Sequence, residues 1–148
     1  KPACRVVPGV GREGGAGLVI SGEATEKRHF AYFMVFEDNI CVSEGTVLTY
    51  WVRPETESAR RAGVELYFAE GGNLRDSQAL DLQGKRMHPT VAKGEVNEWT
   101  KIECPLGRWF AGKTIRAIGV AHDDGESTGL FKVVFDDLFI GIPPEGKP

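Results

Sequence analysis

Residues 129–142 constrain the fold more than any other segment, because this apolar run carries two adjacent carboxylates, Asp136 and Asp137. Its β-branched and aromatic residues predict a strand. Period-2 alternation gives one face with Phe131, Val133, Phe135, Asp137 and Phe139 and another with Lys132, Val134, Asp136, Leu138 and Ile140. Both faces are mostly apolar, which predicts a central strand covered on both sides. Each carboxylate then needs a cation, backbone donors or a metal ion.

The rest of the chain consists of short alternating segments separated by glycine, proline and polar turns. These segments predict further strands at residues 4–7, 17–22, 29–42, 46–53, 64–69, 99–106 and 114–121. The longest exceeds an ordinary strand, so we expect a break or bulge at residues 37–39. Trp51 lies in mid-strand and is predicted to be core. Trp99 opens a strand and is predicted to pack under the long loop of residues 70–98. Because no helical period occurs, the sequence predicts an all-β fold, a two-sheet antiparallel β-sandwich of the jelly-roll type with almost no helix.

Length and charge limit the possible functions. The 148 residues suggest one domain, residues 1–142, followed by the start of a linker at residues 143–148. The chain begins at Lys1 without methionine, so we interpret it as a mature or excised fragment. A net charge of −3 gives no electrostatic argument for binding nucleic acid or an anionic membrane. No apolar run approaches the ~18 residues of a membrane span.

Three cysteines, Cys4, Cys41 and Cys104, leave two alternatives. One is a single disulfide with a free third thiol, as in an exported protein. The other, which we favour, is three buried thiols, because free cysteine is among the most buried residue types. The sequence has no Cys-x-x-Cys and no Cys/His cluster, which argues against a zinc site.

Residues 70–98 show no hydrophobic period, and a loop of this length in a compact domain is usually functional. Polar candidates for hydrogen bonds to a ligand occur in this loop and in the hairpin at residues 121–129: Arg75, Asp76, Asp81, Arg86, His88 and Asp124, the last within a His-Asp-Asp run. The alternative is an ordinary solvated loop.

Trp109 lies beside Phe110 in a glycine-bounded loop, residues 107–112. Sugar rings stack their apolar faces on such aromatic rings, while hydrogen-bonding side chains bind the hydroxyls. Trp109 is therefore a candidate stacking platform, and a Trp109→Ala variant is expected to lose sugar binding. In the alternative, one ring of the pair plugs the end of the core.

The motif order resembles that of galactose-binding-like jelly rolls. Residues 46–54 (TVLTYWVRP) resemble their third or fourth strand, residues 98–102 the strand after their long loop, and residues 112–121 with 131–140 their last hairpin. Residues 74–81 and 86–89 also resemble a loop of this group. The whole is similar to the non-catalytic domains attached to bacterial glycoside hydrolases. This resemblance implies a carbohydrate-binding module or a spacer, with an oligo- or polysaccharide partner, a catalytic domain on the same parent chain, and an extracellular, periplasmic or cell-surface location.

The resemblance also implies a structural Ca²⁺ at the first aspartate of the last strand, Asp136. Calcium takes several oxygen ligands, many of them backbone carbonyls, and the glycine-rich segment that contains Glu13 and Gly15 can supply them. In the alternative, an arginine or backbone donors satisfy both carboxylates.

An enzyme is the least favoured interpretation. Asp76, Asp81 and His88 could act as acid, base and orienting group, but the sequence has no nucleophile elbow, P-loop or dinucleotide motif. The sequence therefore predicts a non-catalytic carbohydrate-binding module of a larger secreted glycan-active enzyme, with the structural spacer or protein-interaction domain as the alternative.

Overall fold

A computed structural model describes residues 1–144 of the protein. Its strands are β1 (Ala3–Val7), β2 (Gly17–Ala24), β3 (His29–Cys41), β4 (Val47–Pro54), β5 (Ala62–Phe68), β6 (Thr100–Cys104), β7 (Thr114–Asp124) and β8 (Gly129–Gly141). The only helical turns in this range are a 3₁₀ turn, Ser58–Arg60, and the four-residue helix α1, Gly107–Phe110. The all-β prediction is therefore confirmed. Residues 145–148 of the predicted linker lie outside the described range.

The strands form two antiparallel sheets that pack face to face. One sheet has the order β1-β2-β8-β4-β6, and the other has the order β3-β7-β5. Strand β8 lies in the middle of the larger sheet. Its consecutive residues Val133 and Val134 are both fully buried although they point to opposite faces of the sheet. The predicted central strand is thus confirmed. Neither helical turn in residues 1–144 is long or apolar enough to cross a membrane.

The core lies between the sheets and follows from the alternation along the strands. On β4, Leu48, Tyr50 and Val52 point inward, and every second residue of β5 faces them. At one end of the core the ring of His122 stacks on Phe131, with 3.9 Å between ring centroids and 7° between planes. Burial lowers the pKa of His122, which favours the neutral ring in this stack.

A β-bulge at Asp137 changes the faces of the last strand. Asp137 has a φ of 52°, and the pairing of β8 with β4 shifts register there. Because a bulge inserts one residue, the alternation after it is reversed. Leu138 and Ile140 therefore pack against the core, and Phe139 is 39% exposed. The predicted faces beyond the bulge are wrong for this reason.

Trp51 was predicted to be core and lies instead on the outer face of the larger sheet. There the Arg12 guanidinium carbon is 4.2 Å from its ring centroid. Trp99 has a similar partner in Arg53, at 4.9 Å. The prediction for Trp51 failed because both alternating sets of β4 are apolar, and Tyr50 rather than Trp51 fills the interior.

The three cysteines are free in the structure. Cys104 is buried and Cys4 is half-buried, but Cys41 is exposed. The expectation of three buried thiols is therefore wrong for Cys41, which ends the edge strand β3 at the surface.

Gly119 on β7 allows the close approach of β3, because a Cβ at this position would lie 2.7 Å from the Phe33 carbonyl oxygen. Gly119→Ala is therefore expected to lower the free energy of unfolding by about 1–3 kcal/mol. Gly125→Ala is the control, because its Cβ would have its nearest neighbour at 4.0 Å. Urea denaturation of both variants tests this, and equal stabilities would contradict the close β3–β7 packing.

Candidate functional site

An open cleft of about 410 Å³ lies on the outer face of the three-stranded sheet. We call it the outer cleft, and it is lined by Phe30, Tyr32, Tyr67, Arg75, His88 and Asp123. Arg75 and His88 are two of the predicted ligand-binding residues, and the long loop brings them beside three aromatic rings of the sheet.

The strand register explains how the cleft forms. Tyr32 on β3 pairs with Ala121, and Tyr67 on β5 pairs with Ala117, so both tyrosines flank the central strand β7 on the same face. Between these two positions β7 carries Gly119. Three small residues in alternation thus form a low floor, and the larger side chains of the neighbouring strands form the walls.

Tyr32 is held in place by its polar neighbours. Its hydroxyl donates a 2.7 Å hydrogen bond to Asp123 Oδ2, and the Arg75 guanidinium carbon lies 5.0 Å from its ring centroid. Phe30 packs edge-on at 6.0 Å. Burial and the bond to Asp123 raise the pKa of Tyr32, so the phenol stays a neutral donor.

A buried carboxylate attaches the long loop to the sheet. Glu65 on β5 is 1% exposed, and its Oε1 accepts 3.0 Å bonds from the amides of Leu66 and Arg75. Its other oxygen forms an ion pair with the Arg75 guanidinium. Burial raises the pKa of Glu65, although these partners favour the charged form. The pair fixes Arg75 above Tyr32.

His88 is held from two sides. Its Nδ1 lies 3.1 Å from the Thr90 amide and 2.9 Å from the Thr90 hydroxyl. An amide can only donate, so Nδ1 accepts, and the ring is neutral with its proton on Nε2. Behind the ring, the buried Lys93 donates from Nζ to the carbonyls of His88 and Val91, at 3.1 and 2.8 Å.

Three other predicted residues have roles within the protein. Asp81 is 8% exposed and accepts bonds from the amides of Gln83 and Lys85, which closes a turn of the long loop. Asp76 is exposed beside Arg75, with 3.8 Å between Oδ2 and Nε. Arg86 donates to the Ser77 carbonyl.

Asp124 and Trp109 lie apart from the outer cleft. Asp124 is 2% exposed and accepts a bond from the Glu126 amide. Burial would raise the pKa of Asp124, but the bond from this amide and the nearby serine hydroxyls lower it overall. Trp109 lies on α1, partly buried against the core, with the Arg108 guanidinium 5.5 Å from its ring.

Sequence reasoning missed Phe30, Tyr32 and Tyr67 as candidates. For Tyr67 the alternation of β5 was sufficient, because it sets Tyr67 and Glu65 opposite the core residues Val64, Leu66 and Phe68. Phe30 and Tyr32 could not be assigned to the outer face from the sequence, because β3 carries aromatic residues on both faces.

Around Asp136 the structure shows protein donors. Its two oxygens accept 2.8 Å bonds from the amides of Arg12 and Asp137, and the Arg12 guanidinium binds Asp137 at 3.0 Å. The Glu13 side chain is 78% exposed and pairs with Arg12. The structure thus brings Gly15 and Asp136 together and leaves the Glu13 carboxylate at the surface.

The residues beside Asp136 nevertheless have the chemistry that calcium prefers. A Cβ at Gly11 would lie 2.6 Å from the Ala16 carbonyl oxygen, 2.7 Å from Asp136 Oδ2 and 2.8 Å from the Gly15 carbonyl oxygen. Three oxygens therefore converge beside Gly11. In residues 1–144 no group of three His, Cys, Asp or Glu side chains converges, so carbonyls would supply most ligands of an ion here.

A second cavity, of about 500 Å³, lies between the sheets. Its walls are mostly apolar and include Leu18, Val35 and Phe135. A sugar needs partners for its hydroxyls around the ring, and polar side chains make up a larger share of the lining in the outer cleft. We therefore take the outer cleft as the candidate binding site.

Comparison with known proteins supports the fold. No family model and no curated protein sequence matches the chain. Among solved structures, it matches the glycoside hydrolase domain of Endo-D from Streptococcus pneumoniae R6 with a TM-score of 0.65 and 18% identity, over 95% of this chain and 20% of that one. A structure of carbohydrate-binding modules from the β-sandwich superfamily matches with a TM-score of 0.60 and 12% identity, over 95% and 53%.

SGBP-B, from a complex xyloglucan utilization locus in Bacteroides uniformis, matches with a TM-score of 0.53 and 12% identity, over 94% of this chain and 44% of that one. The chain thus spans about half or less of each of these three proteins. At these identities the matches show a shared β-sandwich fold, which confirms the resemblance inferred from the motifs at the level of architecture.

Burial lowers the pKa of Lys93 to about 7, against its ordinary value near 10.4. Between these values the unfolded chain binds a proton that the folded protein releases, so stability rises with pH. We expect a rise of about 1 kcal/mol per unit from pH 7 to 8.5. Lys93→Met is expected to lose this slope in pH-dependent denaturation, whereas Lys85→Met at an exposed neighbour keeps it. A wild-type curve with no such slope would contradict the assignment.

Proposed function

We propose that this chain is a non-catalytic carbohydrate-binding domain and that it binds a sugar in the outer cleft. One observation carries the proposal: the cleft combines the rings of Tyr67 and Phe30 with the polar groups of Arg75, His88 and Asp123 on one face of a rigid sheet.

The cleft matches the two kinds of contact that a sugar makes. The apolar face of a pyranose ring stacks on an aromatic ring, and Phe30 is 65% exposed. Sugar hydroxyls need both donors and acceptors. Asp123 supplies an acceptor, the Nε2–H of His88 a donor and Arg75 further donors. The sheet and the Glu65–Arg75 pair hold these groups before binding, which reduces the entropy lost on binding.

Two structural neighbours are described as carbohydrate-binding modules of the β-sandwich superfamily and as SGBP-B from a xyloglucan utilization locus. A third belongs to a glycoside hydrolase chain of which this domain matches 20%. These likenesses support a role as one module of a larger secreted glycan-active enzyme that works outside the cell or at its surface. Of the carboxylates near the outer cleft, Glu65 is paired with Arg75, Asp76 lies beside Arg75, and Asp123 accepts one hydrogen bond from Tyr32. That arrangement favours binding over acid–base catalysis.

The competing function is a structural spacer or protein-interaction domain. It is favoured by the partly buried position of Trp109 and by the internal hydrogen bonds of Asp81 and Asp124. Under this alternative no glycan binds.

Calcium is the second part of the proposal. Asp136 and the carbonyls of Gly15 and Ala16 would hold the ion, with further backbone oxygens of the segment that contains Glu13. Bound calcium would supply positive charge that cross-links this segment to β8, adding to the amide bonds already present.

A ligand that binds only the folded state stabilises it, by about 2.7 kcal/mol at one hundred times Kd. Adding Ca²⁺ after EDTA treatment is therefore expected to raise the Tm of the domain, and Asp136→Asn to abolish the rise. Asp137→Asn is the matched control, because asparagine tolerates the positive φ of this position. An identical wild-type Tm with EDTA and with Ca²⁺ would contradict the calcium proposal. Backbone amides and Arg12 would then be the partners of the Asp136 and Asp137 carboxylates.

Sugar binding is tested by isothermal titration with the best hit of a glycan array. We expect a Kd of ~0.1–1 mM, or about 4–5.5 kcal/mol, because water hydrogen bonds are exchanged for protein ones. One stacking ring is a large share of that energy. Tyr67→Ala is therefore expected to weaken binding at least ~10-fold, and Tyr67→Phe to retain it.

Trp109→Ala is measured alongside the Tyr67 variants, because the sequence alone predicts Trp109 as the ring on which the sugar stacks. Binding in the outer cleft predicts unchanged affinity and a lower Tm for Trp109→Ala. Loss of binding in Trp109→Ala, with full binding in Tyr67→Ala, would move the site to α1.

A further inference from the structure

The charges around the outer cleft are unevenly compensated, and they bear on which sugar it takes. Building on the proposed function, we infer that the outer cleft selects an uncharged sugar unit and discriminates against sugars that carry a carboxylate or a sulfate. Three groups decide this: Arg75, Asp123 and His88.

Arg75 is the one permanent cation among the lining residues, and its charge is already neutralised. Its guanidinium forms the ion pair with the buried Glu65, and Asp76 Oδ2 lies 3.8 Å from its Nε. The guanidinium also packs over Tyr32. An anionic sugar would have to compete with Glu65, which is 1% exposed and would then be left as a buried unpaired charge.

Asp123 adds a negative charge. In the described residues, no cationic side chain lies within 4 Å of its carboxylate. Its hydrogen-bond donor is the Tyr32 hydroxyl, and a hydrogen bond from a neutral phenol leaves the charge in place. Asp123 can accept a bond from a sugar hydroxyl. A sugar carboxylate or sulfate has no proton to donate at neutral pH and is repelled instead.

His88 does not supply a compensating cation. Its Nδ1 accepts from the Thr90 amide, and a protonated ring would turn that acceptor into a donor and lose the bond. The neutral ring offers one N–H to a sugar oxygen. A further arginine, Arg116, packs against Tyr67 at 5.7 Å and is not among the lining residues. Among the lining residues Arg75 and Asp123 therefore carry opposite charges, and because Glu65 and Asp76 already compensate Arg75, the charge of Asp123 is left without a cation of its own.

The test uses matched pairs of glycans on one array: galacto-oligosaccharides against oligogalacturonides, and xylo-oligosaccharides with and without glucuronic acid branches. The best neutral hit and its uronate counterpart are then titrated calorimetrically in 0.05 and 0.5 M NaCl, concentrations on either side of the physiological ~0.15 M. We expect the neutral sugar to bind with an affinity that salt leaves unchanged. The uronate is expected to bind at least ~10-fold more weakly at low salt, with the gap narrowing at high salt because screening weakens the repulsion.

Asp123→Asn keeps an acceptor for the Tyr32 hydroxyl and removes the charge, and its Tm shows whether the fold is intact. This variant is expected to reduce the discrimination at least ~3-fold, mainly through tighter uronate binding. Arg116→Gln is the control for a cation that lies outside the lining residues, and it is expected to leave the ratio of the two affinities unchanged.

The outcomes separate the inference from the proposed function. A uronate that binds the wild type as tightly as its neutral counterpart, or more tightly, overturns the inference and leaves a carbohydrate-binding domain. An unchanged ratio in a folded Asp123→Asn variant also overturns it, because Asp123 would then not carry the discrimination. If neither member of any pair binds, the proposed function fails, and the inference fails with it.

Discussion

The outer cleft depends on one buried carboxylate, Glu65. A charged side chain at 1% exposure on the outer face of a sheet is costly unless it is paired and hydrogen-bonded. Two of its partners, the amide and the guanidinium of Arg75, come from the long loop. The loop must therefore cross the sheet, and its crossing sets Arg75 over Tyr32 and makes one wall of the cleft.

The same constraint applies to other carboxylates that are buried or partly buried in residues 1–144, with different results. Asp81 and Asp124 accept bonds from amides two to four residues away and so fix turns. Asp136 accepts the amide of Arg12 and ties the glycine-rich segment to the central strand. In the cleft, by contrast, Asp123 is bound by a phenol and remains available to a ligand hydroxyl. The partner of each carboxylate therefore decides whether it stabilises a turn or contributes to a site.

Alternating hydrophobicity predicted the strands and the central place of β8, because burial is the physical cause of both. It could not predict the bulge at Asp137, which reverses the faces of Leu138 and Phe139, or the outward direction of Trp51. Where both faces of a strand are apolar, only the packed partner sheet decides which face is inside.

For the candidate site, loop polarity pointed to Arg75 and His88, which line the outer cleft. It could not distinguish an aspartate that fixes a turn from one that is free to contact a ligand, because both lie in the same kind of polar sequence. The aromatic wall needed tertiary information, because Tyr32 meets Arg75 only once Glu65 is buried. The central claim is that sugar binds on the outer face of the three-stranded sheet. A two-dimensional amide NMR titration with a neutral oligosaccharide tests it most directly. The account predicts shifts at Tyr67, Arg75, His88 and Asp123, and none at Trp109. Shifts centred on Trp109, or no shifts with any glycan, would contradict it.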